Sequence, residues 1–277
     1  MRIFVIVVLC VAIIMATAYS AKQTHFEEHA GHTYNIGLLI MATGPYAQLA
    51  AKLVASAQQH FCTRHNVTYF VFTDHELPPL PNLVRVEQAQ MGWPYDTMMR
   101  FHVYHQHREK LATMDYLFAC DADMVFVDAV GDEILSTRVA TLHPQVRFRR
   151  GPYEENPLST AHVHRNEGTH YFAGAFYGGT RDEFLRLVQT ASQRIDIDLA
   201  RGHIARINDE SHLNRYFIDN CPTVLLPPSY CHFESWHSPY PAKLVAFDNP
   251  DHGKASMRKK VAFNPLDYYK RYLTATT

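Results

Sequence analysis

The chain lacks an excess of either charge: 26 basic residues face 27 acidic ones, for a formal net charge of −1. That balance gives no electrostatic pull toward nucleic acid or acidic lipid, so no nucleic-acid partner is expected. Cys-x-x-Cys spacing is also missing. Of Cys10, Cys62, Cys120, Cys221 and Cys231, the first lies in an apolar N-terminal run, and sequence alone leaves the pairing of the other four open. The 18 histidines have no metal-ligand spacing; His102, His105 and His107 fall on an expected helix where only the first two share a face. Internal repeats and low-complexity tracts are absent too.

What is present is 277 residues, 47% of them hydrophobic, enough for one large core or two small ones. Residues 3–19, "IFVIVVLCVAIIMATAY", are apolar and uncharged, with Arg2 before them. As a helix they would reach about 25 Å, a short but tolerable membrane span, and Arg2 favours a cytosolic N-terminus. A cleaved signal peptide ending near Ala18–Ala21 is the alternative. The expected organisation is a signal-anchor or signal peptide over 1–21, a short stem over 22–34 and a folded domain over 35–277. Either N-terminal reading sends the domain into a secretory lumen, where Asn66 of "NVT" could carry a glycan.

From residue 35 the pattern alternates. "NIGLLIMAT" (35–43) reads as a buried strand and is followed by a helix with apolar residues at Tyr46, Leu49, Ala50, Leu53, Val54, Ala57 and Phe61, Pro45 suiting its first turn. "VTYFVFTD" (67–74) and "NLVRVEQ" (82–88) are further strands, and 98–111 reads as one helix. This βαβα order predicts an α/β fold with a mostly parallel sheet and helices on both faces. Residues 143–168 form a long polar segment with several prolines, usually a sign of a functional or disordered loop. The strand-like "HYFAGAFYGGT" leads into a helix, where Thr180 and Glu183 suggest a capping box, Phe184, Leu187, Val188, Ala191, Ile195 and Leu199 an apolar stripe, and Gly202 the end.

"YLFACDADMVFVD" (116–128) places two aspartates in an apolar strand. Residues i and i+2 of a strand share a face, so Asp121 and Asp123 would crowd two carboxylates together, an arrangement favoured when a hard divalent cation lies between them. The end of a strand is also where open α/β sheets bind ligands. Asp196 and Asp198 repeat the spacing, but within the helix after Thr180, where they point to different faces and read as solvated charge. Cys120 reads as a small buried hydrophobe.

Six segments, taken in order, resemble one family: "IGLLIMATGPY", "HFCTRHNVTYFVFTD", "YLFACDADMVFVDAVGDEIL", "TLHP", "HYFAGAFYGGT" and "NDESHLNRYF". They are similar to the glycosyltransferases that include the histo-blood-group A and B transferases, α-1,3-galactosyltransferase and Forssman glycolipid synthase (glycosyltransferase family 6). The resemblance implies a GT-A fold and a retaining, manganese-dependent transfer of galactose or N-acetylgalactosamine from a UDP-sugar to a glycan or glycolipid galactoside in α-1,3 linkage. It also implies a type II Golgi membrane protein anchored through residues 3–19, with secretion as the alternative. By the same resemblance Asp121 and Asp123 hold manganese and, with Ala122, contact the nucleotide. Met41, Ala42, Thr43 and Tyr46 fall at uridine-contacting positions and Arg100 near the diphosphate. Ala173, Gly174 and Ala175 read the sugar's 2-substituent, and their small size leans toward N-acetylgalactosamine. Asp209 contacts donor-sugar hydroxyls. Glu210 lies beside the anomeric carbon, as a nucleophile or as a stabiliser of positive charge. His143 contacts the acceptor, with 144–168 lining that side, and His212 either backs the residues that touch the donor or is structural.

Departures bear on the acceptor. Ile207 stands where several relatives have tryptophan, and "CHFESW" replaces a Trp-Asp pair, with Glu234 as the candidate substitute acid. Lys254, Arg258, Lys259 and Lys260 resemble a C-terminal segment that closes over the diphosphate. The rival readings are another nucleotide-sugar transferase of GT-A type, a non-catalytic carbohydrate-binding relative, and a membrane-anchored interaction module.

Overall fold

A computed structural model describes residues 29, 31–146, 150–233 and 239–247. The N-terminal apolar run, Glu234 and the basic tail from Lys254 to Lys260 lie outside the described residues. The chain divides into a leading unit, Met1–Thr33, and a main unit, Tyr34–Thr277, and it is the main unit that follows.

Its strands are β1 (Asn35–Met41), β2 (Asn66–Thr73), β3 (Leu83–Glu87), β4 (Tyr116–Asp121), β5 (Met124–Phe126), β6 (Arg138–Leu142), β7 (Phe172–Thr180), β8 (Val224–Leu226), β9 (His232–Phe233) and β10 (Leu244–Ala246). The helices are α1 (Ala47–His60), α2 (Tyr95–Met98), α3 (Arg100–Gln106), α4 (Arg108–Leu111), α5 (Arg181–Ala200) and α6 (Asn208–Asp219). Seven strands form one sheet in the order β3-β2-β1-β4-β7-β6-β8. Only the two ladders that β7 makes, with β4 and with β6, are antiparallel. The sheet is thus mostly parallel, as a βαβα order dictates, with one reversed strand. A second sheet, β5-β10-β9, packs where the chain leaves the aspartate turn.

The central strands are apolar along their whole length because both faces are covered. Ile36, Leu38 and Ile40 of β1 and Phe118 and Cys120 of β4 face one core with Leu53, Val54 and Ala57 of α1. Leu39, Leu117 and Ala119 face a second core with Phe101, Tyr104, Phe184, Val188 and Leu213 of α3, α5 and α6. Helices on both faces, with Cys120 as a buried small hydrophobe, agree with the sequence expectation. The α/β architecture is the one expected of a GT-A fold. Where β7 crosses β4, side chains would collide: a Cβ on Gly178 would sit 2.3 Å from Phe118 Cδ1 and 2.4 Å from the Leu117 carbonyl oxygen. The paired glycines of "FYGGT" therefore let two backbones approach closely.

Three local expectations are corrected, and the long 143–168 segment gains a structure over 150–168. The expected helix over 98–111 breaks at Met99 and His107 into α2, α3 and α4; at the second break the His107 ring Nδ1 and the His107 N–H both reach the Val103 carbonyl, at 2.9 and 3.2 Å. Thr180 occupies the N-cap position without a side-chain cap bond, and Glu183 turns inward to accept from Tyr216 Oη at 2.7 Å, tying α5 to α6. The Asp196/Asp198 pair is no solvated face: Asp198 is 1% exposed and accepts from Ser159 Oγ at 2.5 Å and Thr160 N–H at 2.7 Å, while Asp196 meets His102 Nε2 at 3.0 Å. Both outcomes arise because distant segments fold onto α5, which helical periodicity cannot register. Finally, residues 150–168 are built, not merely long. The Arg150 guanidinium donates to the carbonyls of Val163, His164, Arg165 and Glu167, and Glu154 accepts from Arg206 N–H at 2.6 Å.

Candidate active site

The site lies where strand ends meet. Register pairs Met41 with Asp121, so the carboxyl ends of β1 and β4 stop side by side. The backbone turns at Ala122 and Asp123 before β5 begins. Asp123 thus lies in the turn rather than on the strand, and it is the turn, not strand alternation, that aims both carboxylates into one cleft with Met41, Thr43, Tyr46, Asp96, Thr97, Arg100 and Ala122. Ala42 is fully buried, its side chain in the core and its N–H bonded to the Phe72 carbonyl at 2.9 Å. Asp96 and Thr97 were not signalled by the sequence. Asp96 Oδ1 accepts from Thr43 Oγ1 at 3.1 Å and from Met91 N–H at 2.7 Å, contacts that depend on two loops meeting.

Arg100 is 7% exposed and so is not a solvated helix charge. Its Nη1 donates to Asp121 Oδ1 at 2.7 Å and its Nε pairs with Asp209 Oδ2 at 3.0 Å. Burial alone would pull the guanidinium down, but Asp209 and Asp121 outweigh it and hold it well above its ordinary value. A buried cation with two carboxylate partners is fixed in charge and place. Asp209 shows the converse balance: burial pushes its carboxyl up to about 6, against the pull of Arg100.

Glu210 follows in the first turn of α6. Its Oε1 accepts from Tyr171 Oη and its Oε2 from Gly174 N–H, each at 2.7 Å. Burial pushes this carboxyl up to about 7, the two donors opposing it and Asp209 and Asp121 adding repulsion. Asn214, one turn on, fixes the helix to β7: its Oδ1 accepts from Phe172 N–H at 2.8 Å and its Nδ2 donates to the Phe172 carbonyl at 2.9 Å. The β6–β7 register shifts between Ala140 and Thr141, jumping from Tyr177 to Ala173. The irregularity takes Gly174 and Ala175 out of that ladder: Gly174 N–H meets Glu210 and its carbonyl accepts from Arg100 Nη1 at 3.4 Å, while Ala175 packs against the first core. A Cβ on Gly174 would already stand 3.4 Å from Glu210 Oε2. Ala173 itself is 2% exposed, so a ligand could read this position only through backbone or its neighbours.

His143 reaches the same wall. Its backbone N–H donates to the Tyr171 carbonyl at 2.9 Å, and its ring meets the Tyr171 ring edge-on at 5.7 Å. Nδ1 accepts from Gln145 N–H at 3.2 Å and burial pushes the imidazole down to about 4, so the ring is neutral with its proton on Nε2, a donor. His212, 1% exposed with Nε2 3.7 Å from Asp198, is structural. Tyr171 is the principal residue that sequence reasoning missed; nothing in "HYFAG" distinguishes it from strand packing.

The donor set suits a divalent cation with a diphosphate. Two carboxylates from one turn are hard oxygen ligands, and magnesium-like ions in phosphate sites use one or two carboxylates completed by substrate oxygens. Among the described residues no group of three or more histidine, cysteine, aspartate or glutamate side chains could hold a metal alone. The arrangement therefore fits an ion that arrives with phosphate better than a structural metal.

Comparison with known proteins gives the family. The family model described as glycosyltransferase family 6 matches residues 3–259. The human globoside alpha-1,3-N-acetylgalactosaminyltransferase 1 is 33% identical over 237 residues, covering 80% of this chain and 68% of its own length. The rat histo-blood group ABO system transferase 1 is 37% identical over 208 residues, covering 70% and 60%. The mouse glycosyltransferase 6 domain-containing protein 1 is 29% identical over 259 residues, covering 88% and 77%.

Proposed function

The chain belongs to glycosyltransferase family 6, and from that premise we propose that it transfers N-acetylgalactosamine or galactose from a UDP-sugar to an acceptor galactoside, forming an α-1,3 bond with retention at the anomeric carbon. One observation carries the reading: Arg100 bridges Asp121 and Asp209, so one carboxylate of the aspartate pair and the acid adjoining Glu210 belong to one ion-paired chain. The absence of a side chain at Gly174, beside Glu210, leaves room for an acetamido group, which supports N-acetylgalactosamine as donor, with Ala173 and Ala175 as its small flanks.

The residues divide the task. Tyr46 offers a ring to the base, and Thr43 is steadied by Asp96. Asp121 and Asp123 would hold the divalent ion, manganese in this proposal, whose chemistry is to neutralise charge on departing UDP. Asp209, fixed by Arg100, is oriented to accept from donor-sugar hydroxyls. Glu210 faces the anomeric carbon. Both its oxygens already accept a hydrogen bond, which blunts nucleophilicity and favours its role as a fixed negative charge that stabilises oxocarbenium character. In that route the bond from the anomeric carbon to the diphosphate oxygen breaks and the acceptor oxygen bonds from the same face. The acceptor's proton passes to the departing diphosphate. His143 Nε2–H orients the acceptor.

The proposal includes a type II Golgi placement, supported by Arg2 and the apolar run 3–19. Among the described residues no helix is long and apolar enough to cross a membrane, and that run lies outside them. A transfer assay with UDP-N-acetylgalactosamine and UDP-galactose on β-galactoside acceptors, with the product anomer read by NMR, tests the activity. An α-linked product with either donor supports it; a β-linked product, or no product with either, overturns it.

A further inference from the structure

The wall behind Glu210 is built from aromatic rings. Tyr171 is 4% exposed and lies edge-on to Tyr153 at 5.2 Å and to His143 at 5.7 Å. Its backbone carbonyl accepts from His143 N–H, and its hydroxyl donates to Glu210 Oε1 at 2.7 Å. Burial and the adjacent glutamate hold this phenol far above its ordinary range, so the hydroxyl keeps its proton and acts only as donor. The groups facing Glu210 are then Gly174 N–H and Tyr171 Oη as donors, with Asp209 of the same helix turn and Asp121 at the end of β4 as like charges. Arg100 of α3, the nearest cation in this chain of contacts, is taken up by those two aspartates. Tyr171 is thus the only side chain seen donating to Glu210 among the described residues, and its own backbone is tied to the acceptor-side histidine.

We propose that Tyr171 is a positioning residue whose hydroxyl holds Glu210 as an aimed carboxylate and links it mechanically to His143. The inference rests on the assignment of Glu210 as the charge beside the anomeric carbon. A partly buried glutamate beside Asp209 binds a proton readily, and a protonated Glu210 has no charge to offer. Removing the hydroxyl shifts the balance further toward the protonated form, because a bond to the charged state is lost while burial and repulsion remain. The ring stack does not need the hydroxyl, so Tyr171→Phe keeps the wall.

The test compares wild type, Tyr171→Phe, Tyr153→Phe and Glu210→Gln. The Tyr153 hydroxyl donates to the His170 carbonyl instead, so its variant controls for a packing effect. For Tyr171→Phe the acidic limb of kcat against pH should move up by about one unit, the scale of one charge-assisted bond, so that the loss relative to wild type is several-fold greater at about pH 6 than at about pH 8.5. Tyr153→Phe should leave the limb in place. In ligand-free protein, the stability gap between wild type and Glu210→Gln opens near the unfolded glutamate pKa in either background, and the pH at which it levels off should rise likewise when both carry Tyr171→Phe. If Glu210→Gln is inactive but the limb and the levelling-off pH stay where they were in Tyr171→Phe, the role given to Tyr171 is wrong while the proposed function stands. Should Glu210→Gln transfer sugar like wild type, the assignment of Glu210 falls, and this inference with it.

Discussion

At the scale of single residues, the site is a set of charges graded from buried, at Arg100 and Asp209, to half-buried, at Asp121, Asp123 and Glu210. Glu210 is the sharpest case. Its carboxyl rises from an ordinary value near 4.5 to about 7, mainly through burial. A raised carboxyl makes the folded protein bind a proton more tightly than the unfolded chain does. Its contribution is therefore fully present below about pH 4.5 and is lost as pH climbs through about 7, with a ceiling of about 3 kcal/mol. Glu210→Gln has no such proton to lose, so it should gain stability relative to wild type between pH 5 and 8; denaturant unfolding at several pH values checks this. The same variant should lose transfer activity by roughly 10²–10³-fold, the scale of one fixed electrostatic group in a transition state. Asp123→Asn tests the other end of the cleft. It should abolish transfer with an unchanged circular dichroism spectrum, and full activity would remove the metal assignment. The paired aspartates are legible in "CDAD", and the apolar run ahead of them marks their position at a strand end. Tyr171 and Asp96 are not legible in this way, because a tyrosine before a strand and an aspartate on a short helix acquire roles only from what folds against them.

Among the elements, α6 and β7 carry the chemistry together. Asn214 satisfies both backbone groups of Phe172, which precedes the small-residue segment by one position. Asn214→Ala leaves a buried N–H and a buried carbonyl without that partner, and should cost about 2–4 kcal/mol while displacing Glu210 relative to Gly174. Reduced kcat with nearly unchanged UDP affinity is the expected kinetic signature, measured by steady-state kinetics and calorimetry. Gly178→Ala belongs to the same junction but acts through packing: a methyl 2.3 Å from Phe118 must force β4 and β7 apart, with an expected loss of about 1–3 kcal/mol in urea unfolding. Strand and helix positions over β1 to β4 followed from hydrophobic runs and their periods. The breaks at Met99 and His107 did not, nor did the inward turn of Glu183, since each is decided by a side chain's partner outside the local window.

For the whole molecule, two cores sandwich one sheet, and the cleft forms at the carboxyl edge where parallel strands end and β7 runs back. Ligands that bind only the folded cleft must stabilise all of it. UDP with manganese should raise the unfolding temperature more than either does alone, consistent with a stabilisation of about 2.7 kcal/mol at a hundredfold excess over the dissociation constant. The increment should vanish on chelation and in Asp123→Asn. Scanning calorimetry on the full chain reads all three.

The sequence by itself determined the α/β order, the buried central strands, the aspartates at the end of β4 and the likeness that singles out Glu210. These follow from patterns repeated within a few residues or from motifs kept in linear order. Tertiary structure alone decided that Arg100 is buried between Asp121 and Asp209, that Asp198 anchors a loop, and that Tyr171 stands behind Glu210. Such facts depend on burial, and burial raises the cost of every unpaired charge and donor. It thereby selects partners that lie 21 to 109 positions away along the chain.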